Sequence, residues 1–233
     1  MNEYKLLLFN RVFSSLAVCG KAIDLVFAHD ASGSLKEIGF QKIKDFTNAL
    51  IDDFEIGIQK THVGVVLFSH LAKVAIRLDE TFDKDVLKSK VQNITFLGYT
   101  TATDAALRVS DKEMFSLSGG VRQNVPQVLI MLTDGRCTAC TEKVSAPAAS
   151  LKAKGVKIVA VAIGKKVDIP EILSFVSEPA SEHLLQVDSI DALKTIIKKL
   201  STQGCAGWCS YELFHVHNIS RFIIVAVEHR YRT

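Results

Sequence analysis

Short apolar runs rich in β-branched residues alternate along the chain with longer amphipathic runs. The apolar runs have the length of buried strands, whereas the amphipathic runs have the three- and four-residue spacing of helices that bury one face. This alternation is typical of a mainly parallel sheet covered by helices on both faces. We therefore predict an α/β fold with a doubly wound, mostly parallel six-stranded sheet.

The predicted strands include one pair that is too close in sequence for a helical crossover. The six predicted strands cover residues 23–28, 62–68, 72–78, 128–132, 156–164 and 184–187. The runs 62–68 and 72–78 should form an antiparallel hairpin, which places one antiparallel strand at an edge of the sheet. The run 128–132 is the most apolar, so it predicts a central strand.

The amphipathic runs predict the helices that cover the sheet. The predicted helices cover residues 36–54, 84–92, 102–115, 144–154, 170–176 and 190–200. In the first of these, Ile43, Phe46 and Leu50 recur at spacings of three and four and indicate one buried stripe. Gly155 is predicted to end the fourth helix, because glycine is favoured just after a helix.

The length of 233 residues and the hydrophobic content of 48% allow one domain, which we assign to residues 21–201. Residues 1–20 have the apolar character of a weak signal peptide, although Asn10 and Arg11 interrupt it. Residues 202–233 form a tail that the pattern does not assign to an element.

No transmembrane helix is predicted, because the terminal apolar run 222–227 is far shorter than the roughly 20 residues that a bilayer requires.

The charge of the chain excludes nucleic-acid binding through a broad basic surface from the candidate functions. The 28 basic and 25 acidic residues give a formal net charge of +3 and form no long run of one sign. Proteins that bind nucleic acid through the backbone usually carry a clustered basic face. We therefore expect no nucleic-acid partner.

Three loops rich in side-chain oxygens are predicted to meet at one edge of the sheet. Residues 30–34 read Asp-Ala-Ser-Gly-Ser directly after the first strand, and residues 133–135 read Thr-Asp-Gly directly after the central strand. Residues 100–103 read Thr-Thr-Ala-Thr at the start of a predicted helix. Ligands gather at the carboxyl ends of the strands in open α/β sheets, so these loops predict a functional site.

The chemistry of these loops favours a hard divalent cation. The candidate ligands are Asp30, Ser32, Ser34, Thr101 and Asp134. They offer oxygen donors alone, which favour Mg²⁺, Mn²⁺ or Ca²⁺ over zinc or copper. With two carboxylates the ion keeps a positive character, and a partner's carboxylate could replace a bound water. Taken singly, the first motif is also typical of a helix N-cap and the second of a turn.

The order and spacing of these motifs resemble the metal-ion-dependent adhesion site of von Willebrand factor type A domains and integrin inserted domains. The resemblance covers residues 21–201. It implies the Rossmann-like fold of that family and a divalent cation, Mg²⁺ first, at the top face. The kind of domain it suggests is the extracellular one of collagens and matrilins.

The resemblance also implies a role for each candidate ligand. It implies direct ligation by Ser32, Ser34 and Thr101, and direct or water-mediated ligation by Asp30 and Asp134. Thr101 is preferred because Thr101-Ala102-Thr103 is similar to the family's T-x-T segment, and Thr100 stays open as the alternative. The chain departs from the family pattern at Ala31, where glycine is common, and at His29, where an aliphatic residue is usual. Neither departure removes an oxygen donor.

The five cysteines bear on the compartment. In a doubly wound sheet, Cys19 before the first strand and Cys205 after the last helix both lie at the bottom, where a disulfide could join them; two unrelated thiols are the alternative. Cys137 and Cys140 form a C-x-x-C, interpreted as a short disulfide near the metal face, with two reduced thiols, a redox dithiol or half of a zinc site as alternatives. Cys209 is then left over.

We predict a metal-dependent protein-binding module and not an enzyme. The expected partner is an extracellular-matrix or cell-surface protein, collagen-like or other, that offers an acidic side chain, and the expected location is secreted. One alternative is an intracellular, cytoplasmic scaffold domain, which free thiols would favour. Another is a metal-dependent phosphoryl-transfer enzyme in which an aspartate after a strand is the nucleophile. His29 could be proposed as its base, with a packing role as the alternative. The sequence lacks a G-x-x-x-x-G-K-[ST] phosphate loop, which weighs against the enzyme.

Overall fold

A six-stranded sheet organises the computed structural model, which describes residues 22–165 and 167–196. The strands are β1 Asp24–Asp30, β2 His62–Phe68, β3 Ala72–Ile76, β4 Gln127–Thr133, β5 Lys157–Ile163 and β6 Leu184–Val187. Their order is β3-β2-β1-β4-β5-β6, with β3 antiparallel to β2 and the other pairs parallel. The prediction of a mostly parallel sheet with one antiparallel edge strand is confirmed.

Six α-helices are found in the part of the chain that the structure describes. They are α1 Lys36–Asp52, α2 Lys84–Gln92, α3 Thr103–Val109, α4 Ser145–Ala153, α5 Ile169–Phe175 and α6 Ala180–His183. Of these, α1, α2, α4 and α5 were predicted within two residues of these bounds, and α3 was predicted with its start within one residue but too long. α6 has a single turn, too short for a periodic pattern to reveal it.

The helix predicted over 102–115 is interrupted after Val109. The hydroxyl of Ser110 donates to the carbonyl of Ala106 at 2.8 Å, which competes with the regular backbone ladder. The chain then makes a π-helical turn over Ser110–Met114, in which the N–H of Phe115 bonds back to the carbonyl of Ser110. One predicted helix is therefore an α-helix followed by a wider turn.

The last predicted helix also differs from the structure. Ile190–Ile196 is a 3-10 helix instead of an α-helix, and residues 197–200 lie outside the described residues. Turns of this kind are frequent at the termini of α-helices and in connections between elements. The predicted signal peptide, the tail 202–233 and Cys19, Cys205 and Cys209 likewise lie outside the described residues.

The inner strands β1, β2, β4 and β5 are buried on both faces, which explains why they are mostly apolar. The edge strands β3 and β6 are only partly buried. Leu25 and Phe27 of β1 pack on one face with the predicted stripe of α1. Val26 and Ala28 point the other way and pack on the second face with α3, α4 and α5. Because successive side chains of a strand point to opposite faces, both helix layers need apolar partners from β1.

The strand order reverses at β1, and this reversal positions the candidate site. β2 lies on one side of β1 and β4 on the other. The connections that leave the carboxyl ends of β1 and β4 therefore run to opposite faces of the sheet and open a crevice between them.

No helix among residues 22–165 and 167–196 combines the length and apolar character needed to cross a membrane.

A buried ion pair closes the opposite end of β1. Asp24 is fully buried, and its carboxylate accepts the Nε–H of Arg122 at 2.8 Å and the backbone N–H of Arg122 at 2.7 Å. The guanidinium also donates to the carbonyl of Ile23 at 3.0 Å. The pair thus ties the segment that enters β4 to the start of β1.

We predict that Asp24→Ala destabilises the fold strongly. The Arg122 side chain is only 20% exposed, so removal of its partner leaves a buried charge without compensation, which costs about 3 kcal/mol or more. The free energy of unfolding in urea measures the loss. Glu55→Ala is the control, because its partner Lys60 is 47% exposed and such surface pairs contribute at most about 1 kcal/mol. Equal losses in the two variants would contradict the prediction.

Candidate metal-binding site

Asp30 lies at the end of β1 and joins two of the predicted loops. Its Oδ1 accepts the N–H of Ser32 at 2.9 Å, and its Oδ2 accepts the hydroxyl of Thr133, at the end of β4, at 2.6 Å. The side chain is buried, and this burial raises the pKa of Asp30 to about 6 although the hydrogen bonds from Ser32 and Thr133 oppose the shift. Asp30 therefore holds the first loop against the central strand.

Side-chain oxygens continue from this loop towards the surface. The hydroxyls of Ser32 and Ser34 lie 3.1 Å apart, and the hydroxyl of Ser34 donates to Oδ1 of Asp134 at 2.8 Å. Ser32 is buried, Asp134 is half-buried and Ser34 is exposed. The structure thus brings the Asp-Ala-Ser-Gly-Ser and Thr-Asp-Gly loops into direct contact through the residues singled out from the sequence.

The segment that leads into the threonine loop of residues 100–103 lies against the first loop along its backbone. The N–H of Gly33 donates to the carbonyl of Tyr99 at 2.8 Å, and the N–H of Gly98 donates to the carbonyl of Ala31 at 2.9 Å. A Cβ at position 33 would lie 2.9 Å from the carbonyl oxygen of Gly98, closer than real Cβ contacts. The absence of a side chain at Gly33 therefore permits this close approach.

Thr101 is turned towards the Thr-Asp-Gly loop. Its carbonyl accepts the N–H groups of Thr138 and Ala139, both at 2.9 Å, and its own N–H donates to the hydroxyl of Thr138 at 3.1 Å. Its Oγ1 lies 4.0 Å from the position that a Cβ of Gly135 would occupy. Thr101 is buried, whereas Thr100 is exposed. All three predicted loops therefore meet at one edge of the sheet.

Ser69 supports the threonine loop, and the sequence analysis missed it. This buried residue directly follows β2; its hydroxyl donates to the carbonyl of Thr100 at 2.9 Å and accepts the N–H of Tyr99 at 3.1 Å. Its carbonyl accepts the N–H of Ala102 at 2.7 Å. The available signal was its place at the carboxyl end of a parallel strand, the same rule that selected Asp30.

The side chain of His29 has a different environment from that of the oxygen cluster, which consists of Asp30, Ser32, Ser34, Thr101 and Asp134. Its Nε2 lies 2.8 Å from the hydroxyl of Thr47 on α1, and the ring packs edge-on against Phe40. Burial, and then the nearby charge of Lys44, lower the pKa of His29 to about 3. The side chain is fully buried on the α1 side of the sheet. A neutral, buried ring of this kind is suited to packing rather than to proton transfer at the loops.

The two cysteines of the C-x-x-C motif are joined by a disulfide beside these loops. The N–H of Cys137 donates to the carboxylate of Glu171 on α5 at 3.0 Å, and its Sγ lies 3.3 Å from the carbonyl of Thr101. The structure therefore contains the local bridge that was the preferred interpretation of this pair. The bridged loop contacts the same Thr101 that faces Gly135.

Residues 24–199 match the family described as the von Willebrand factor type A domain. The chain belongs to this family. The match includes all three loops, and it agrees with the resemblance seen in the sequence motifs. It extends past the last described residue, so it covers the whole sheet and its helices.

Relatives of this von Willebrand factor type A domain include matrilins. The chain is 31% identical to mouse matrilin-3 over 193 residues and 30% identical to chicken matrilin-1 over 186 residues. These matches cover 81% and 80% of this chain but only 39% and 37% of the two matrilins. The chain thus corresponds to a part of those proteins.

Solved structures of a mussel protein have the same fold. Proximal thread matrix protein 1 from the mussel byssus matches with a TM-score of 0.75 and 26% identity, over 80% of this chain and 49% of that chain. A second structure of it, described as having a zinc-occupied MIDAS motif, matches with a TM-score of 0.73 and 26% identity, over 82% of this chain and 47% of that one. A divalent metal site therefore occurs in a relative of this type A domain.

We predict that Ser69→Ala loosens the threonine loop. The change leaves the carbonyl of Thr100 and the N–H of Tyr99 without their shared partner, which costs about 1–3 kcal/mol in the free energy of unfolding. Urea denaturation measures the loss. Ser89→Ala on the exposed side of α2 removes the same hydroxyl from a solvated position and should change stability by less than about 0.5 kcal/mol. A Ser69 variant as stable as the Ser89 control would refute the role of Ser69.

Proposed function

We propose that this chain is a metal-dependent adhesion module and not an enzyme. The observation that carries the proposal is the hydrogen-bonded series from Ser32 through Ser34 to Asp134, formed by residues that are up to 102 positions apart. Thr101 faces the same loop from a third segment. Membership of the type A family, in which a mussel relative has a metal-occupied site, supports the proposal.

The residues present fit a hard divalent cation. We assign the ligand set to Asp30, Ser32, Ser34, Thr101 and Asp134, with Mg²⁺ as the preferred ion and Mn²⁺ or Ca²⁺ as alternatives. The set contains only hydroxyl and carboxylate oxygens, the donors that these ions prefer. The placement of Oγ1 of Thr101 near Gly135 supports Thr101 over Thr100 as the threonine of the set. A bound cation would supply a positive centre at the surface to which an acidic side chain can bind.

The proposed ligands differ in burial, so some of them support the site and others can contact a partner. Asp30 is buried and holds β1 and β4 together, so its role is to fix the loop. Ser34 is exposed and Asp134 half-buried, which leaves this side of the cluster accessible to a partner. Ligands whose geometry is fixed by hydrogen bonds bind metals more tightly than loosely held ones.

The surface around the cluster suits a protein partner. Tyr99, which contacts Gly33 through its backbone, is 62% exposed, and its ring lies 4.4 Å from the ring of His70. Leu71, which directly follows His70, is 66% exposed. Tyrosine and apolar side chains beside a charged centre are typical of protein-binding surfaces. We propose an extracellular-matrix or cell-surface protein, collagen-like or other, as the partner.

A secreted location follows as part of the proposal. The Cys137–Cys140 disulfide is a bond that persists mainly in oxidising compartments. The similarity to matrilins and to a byssus matrix protein supports the same location. We therefore place the chain in the extracellular matrix.

The first test is calorimetric titration of the metal-free protein with MgCl₂ and MnCl₂. We expect one site, and we expect Asp134→Ala to weaken it on the order of 100-fold because a carboxylate ligand is lost. Asp188→Ala is the matched control, since Asp188 also follows a parallel strand but lies beyond β6, two strands from β4. It should bind as the unchanged protein does. Equal affinity in the Asp134 and Asp188 variants would contradict the ligand assignment.

The second test measures adhesion directly. Binding of the protein to immobilised collagen is expected in Mg²⁺, with loss on addition of EDTA and recovery when excess Mg²⁺ is restored. Asp134→Ala should behave in Mg²⁺ as the unchanged protein does in EDTA. Mg²⁺-dependent hydrolysis of p-nitrophenyl phosphate that Asp134→Ala abolishes would overturn the binding role and favour phosphoryl transfer.

A further inference from the structure

A second group of possible metal ligands lies beside the threonine loop. A carboxylate oxygen of Asp104 and the sulfurs of Cys137 and Cys140 lie within 4.8 Å of one another. Asp104 belongs to the first turn of α3, and the two cysteines belong to the loop that follows β4. None of these residues is in the oxygen cluster proposed above.

Asp104 is held by strong hydrogen bonds through one of its two oxygens. Oδ2 accepts the N–H and the hydroxyl of Thr141, both at 2.9 Å, and the guanidinium of Arg108 at 3.0 Å. Burial alone would raise the pKa of Asp104, but the hydrogen bonds from Thr141 and its neighbours outweigh it and lower the pKa. The carboxylate is therefore charged at neutral pH.

The other oxygen of Asp104 lacks such partners. The residue is 1% exposed, and Oδ1 accepts no hydrogen bond from the described residues. A buried carboxylate oxygen without a partner is costly, and a bound cation would offset that cost. This oxygen belongs to the same buried carboxylate that comes within 4.8 Å of both sulfurs, which distinguishes the cluster from an ordinary surface disulfide.

The donor set suits zinc rather than magnesium. Two thiolates and one carboxylate are ligands that Zn²⁺ accepts, with water or another donor in the fourth position of a tetrahedral site. The N–H of Thr103 lies 3.3 Å from Sγ of Cys137 and points to it, as a hydrogen bond to a ligating thiolate does. The second C-x-x-C of a four-cysteine site is then not needed, because Asp104 supplies a third ligand.

We propose that Cys137, Cys140 and Asp104 form a Zn²⁺ site that alternates with the disulfide. A thiol reductant supplies two electrons and two protons, breaks the S–S bond and is itself oxidised to a disulfide, which leaves two thiols. Binding of Zn²⁺ then releases those two protons to solvent. In the oxidised protein the sulfurs are bonded to each other, so the two states exclude one another.

The site can be tested with Co²⁺, which substitutes for Zn²⁺ and reports sulfur ligation. The full chain is reduced with a phosphine, desalted under nitrogen and titrated with CoCl₂ in the Asp134→Ala background, which removes the proposed oxygen site. We expect a near-ultraviolet thiolate-to-cobalt charge-transfer band, which one equivalent of Zn²⁺ abolishes. The oxidised protein should give no band.

The control variant is Cys137→Ser/Cys140→Ser, which keeps Cys19, Cys205 and Cys209 and the hydrogen bonds of Asp104. It should lose the band completely. A band of equal strength in this variant would assign the cobalt to the other cysteines, and no band in the reduced parent protein would show that the cluster binds no such ion. Either result overturns the proposal, and neither depends on whether the oxygen site binds Mg²⁺.

Asp104→Asn tests the carboxylate itself. Competition with a chromophoric chelator should show that this variant binds Zn²⁺ at least about 10-fold more weakly than the reduced parent, with circular dichroism as the check of folding. Unchanged affinity in a folded variant would remove Asp104 from the site and overturn the proposal. If the variant does not fold, the cobalt band of the double cysteine variant alone decides between the outcomes.

Discussion

Parallel pairing of β1 with β4 places His29 opposite Leu132 and brings Asp30 beside Thr133, whose hydroxyl donates to the Asp30 carboxylate at 2.6 Å. The other contacts of the oxygen cluster depend on this register. A slip of one residue would turn Asp30 to the opposite face of the sheet and expose the apolar side chains that alternate with it. The same burial of both faces that stabilises the sheet therefore fixes the place of the first candidate ligand.

The loops beyond the strands are held mainly by backbone hydrogen bonds between them. Gly33 bonds to Tyr99, Ala102 bonds to Ser69 and Thr101 bonds to the loop at Thr138. These bonds satisfy groups that would otherwise be buried without partners, and they fix the loops without using the oxygens of Ser34 and Asp134 that face the surface. Backbone groups therefore hold the loops in place, while the side-chain oxygens of Ser34 and Asp134 stay accessible at the surface.

Sequence patterns predicted the sheet well because the inner strands β1, β2, β4 and β5 are buried on both faces and the helices on one. The oxygen loops were also predictable, since Asp30 and Asp134 directly follow strands that must end at the same edge. Ser69 and Asp104 were not, because their importance comes from tertiary hydrogen bonds that no local pattern records. The wide turn after Val109 was missed for a similar reason, since the Ser110 hydroxyl competes there with the helix ladder.

Two candidate sites of different chemistry meet at Thr101. Its side-chain oxygen faces Gly135 in the oxygen cluster, while its carbonyl accepts hydrogen bonds from Thr138 and Ala139 between the two cysteines. Hard oxygen donors and soft sulfur donors select different ions, so the sites need not compete for the same metal. They share a loop, however, so any change of the sulfur pair that moves residues 137–140 also moves the partners of Thr101. Coupling between the sites would then follow from backbone hydrogen bonds alone, without a common ligand.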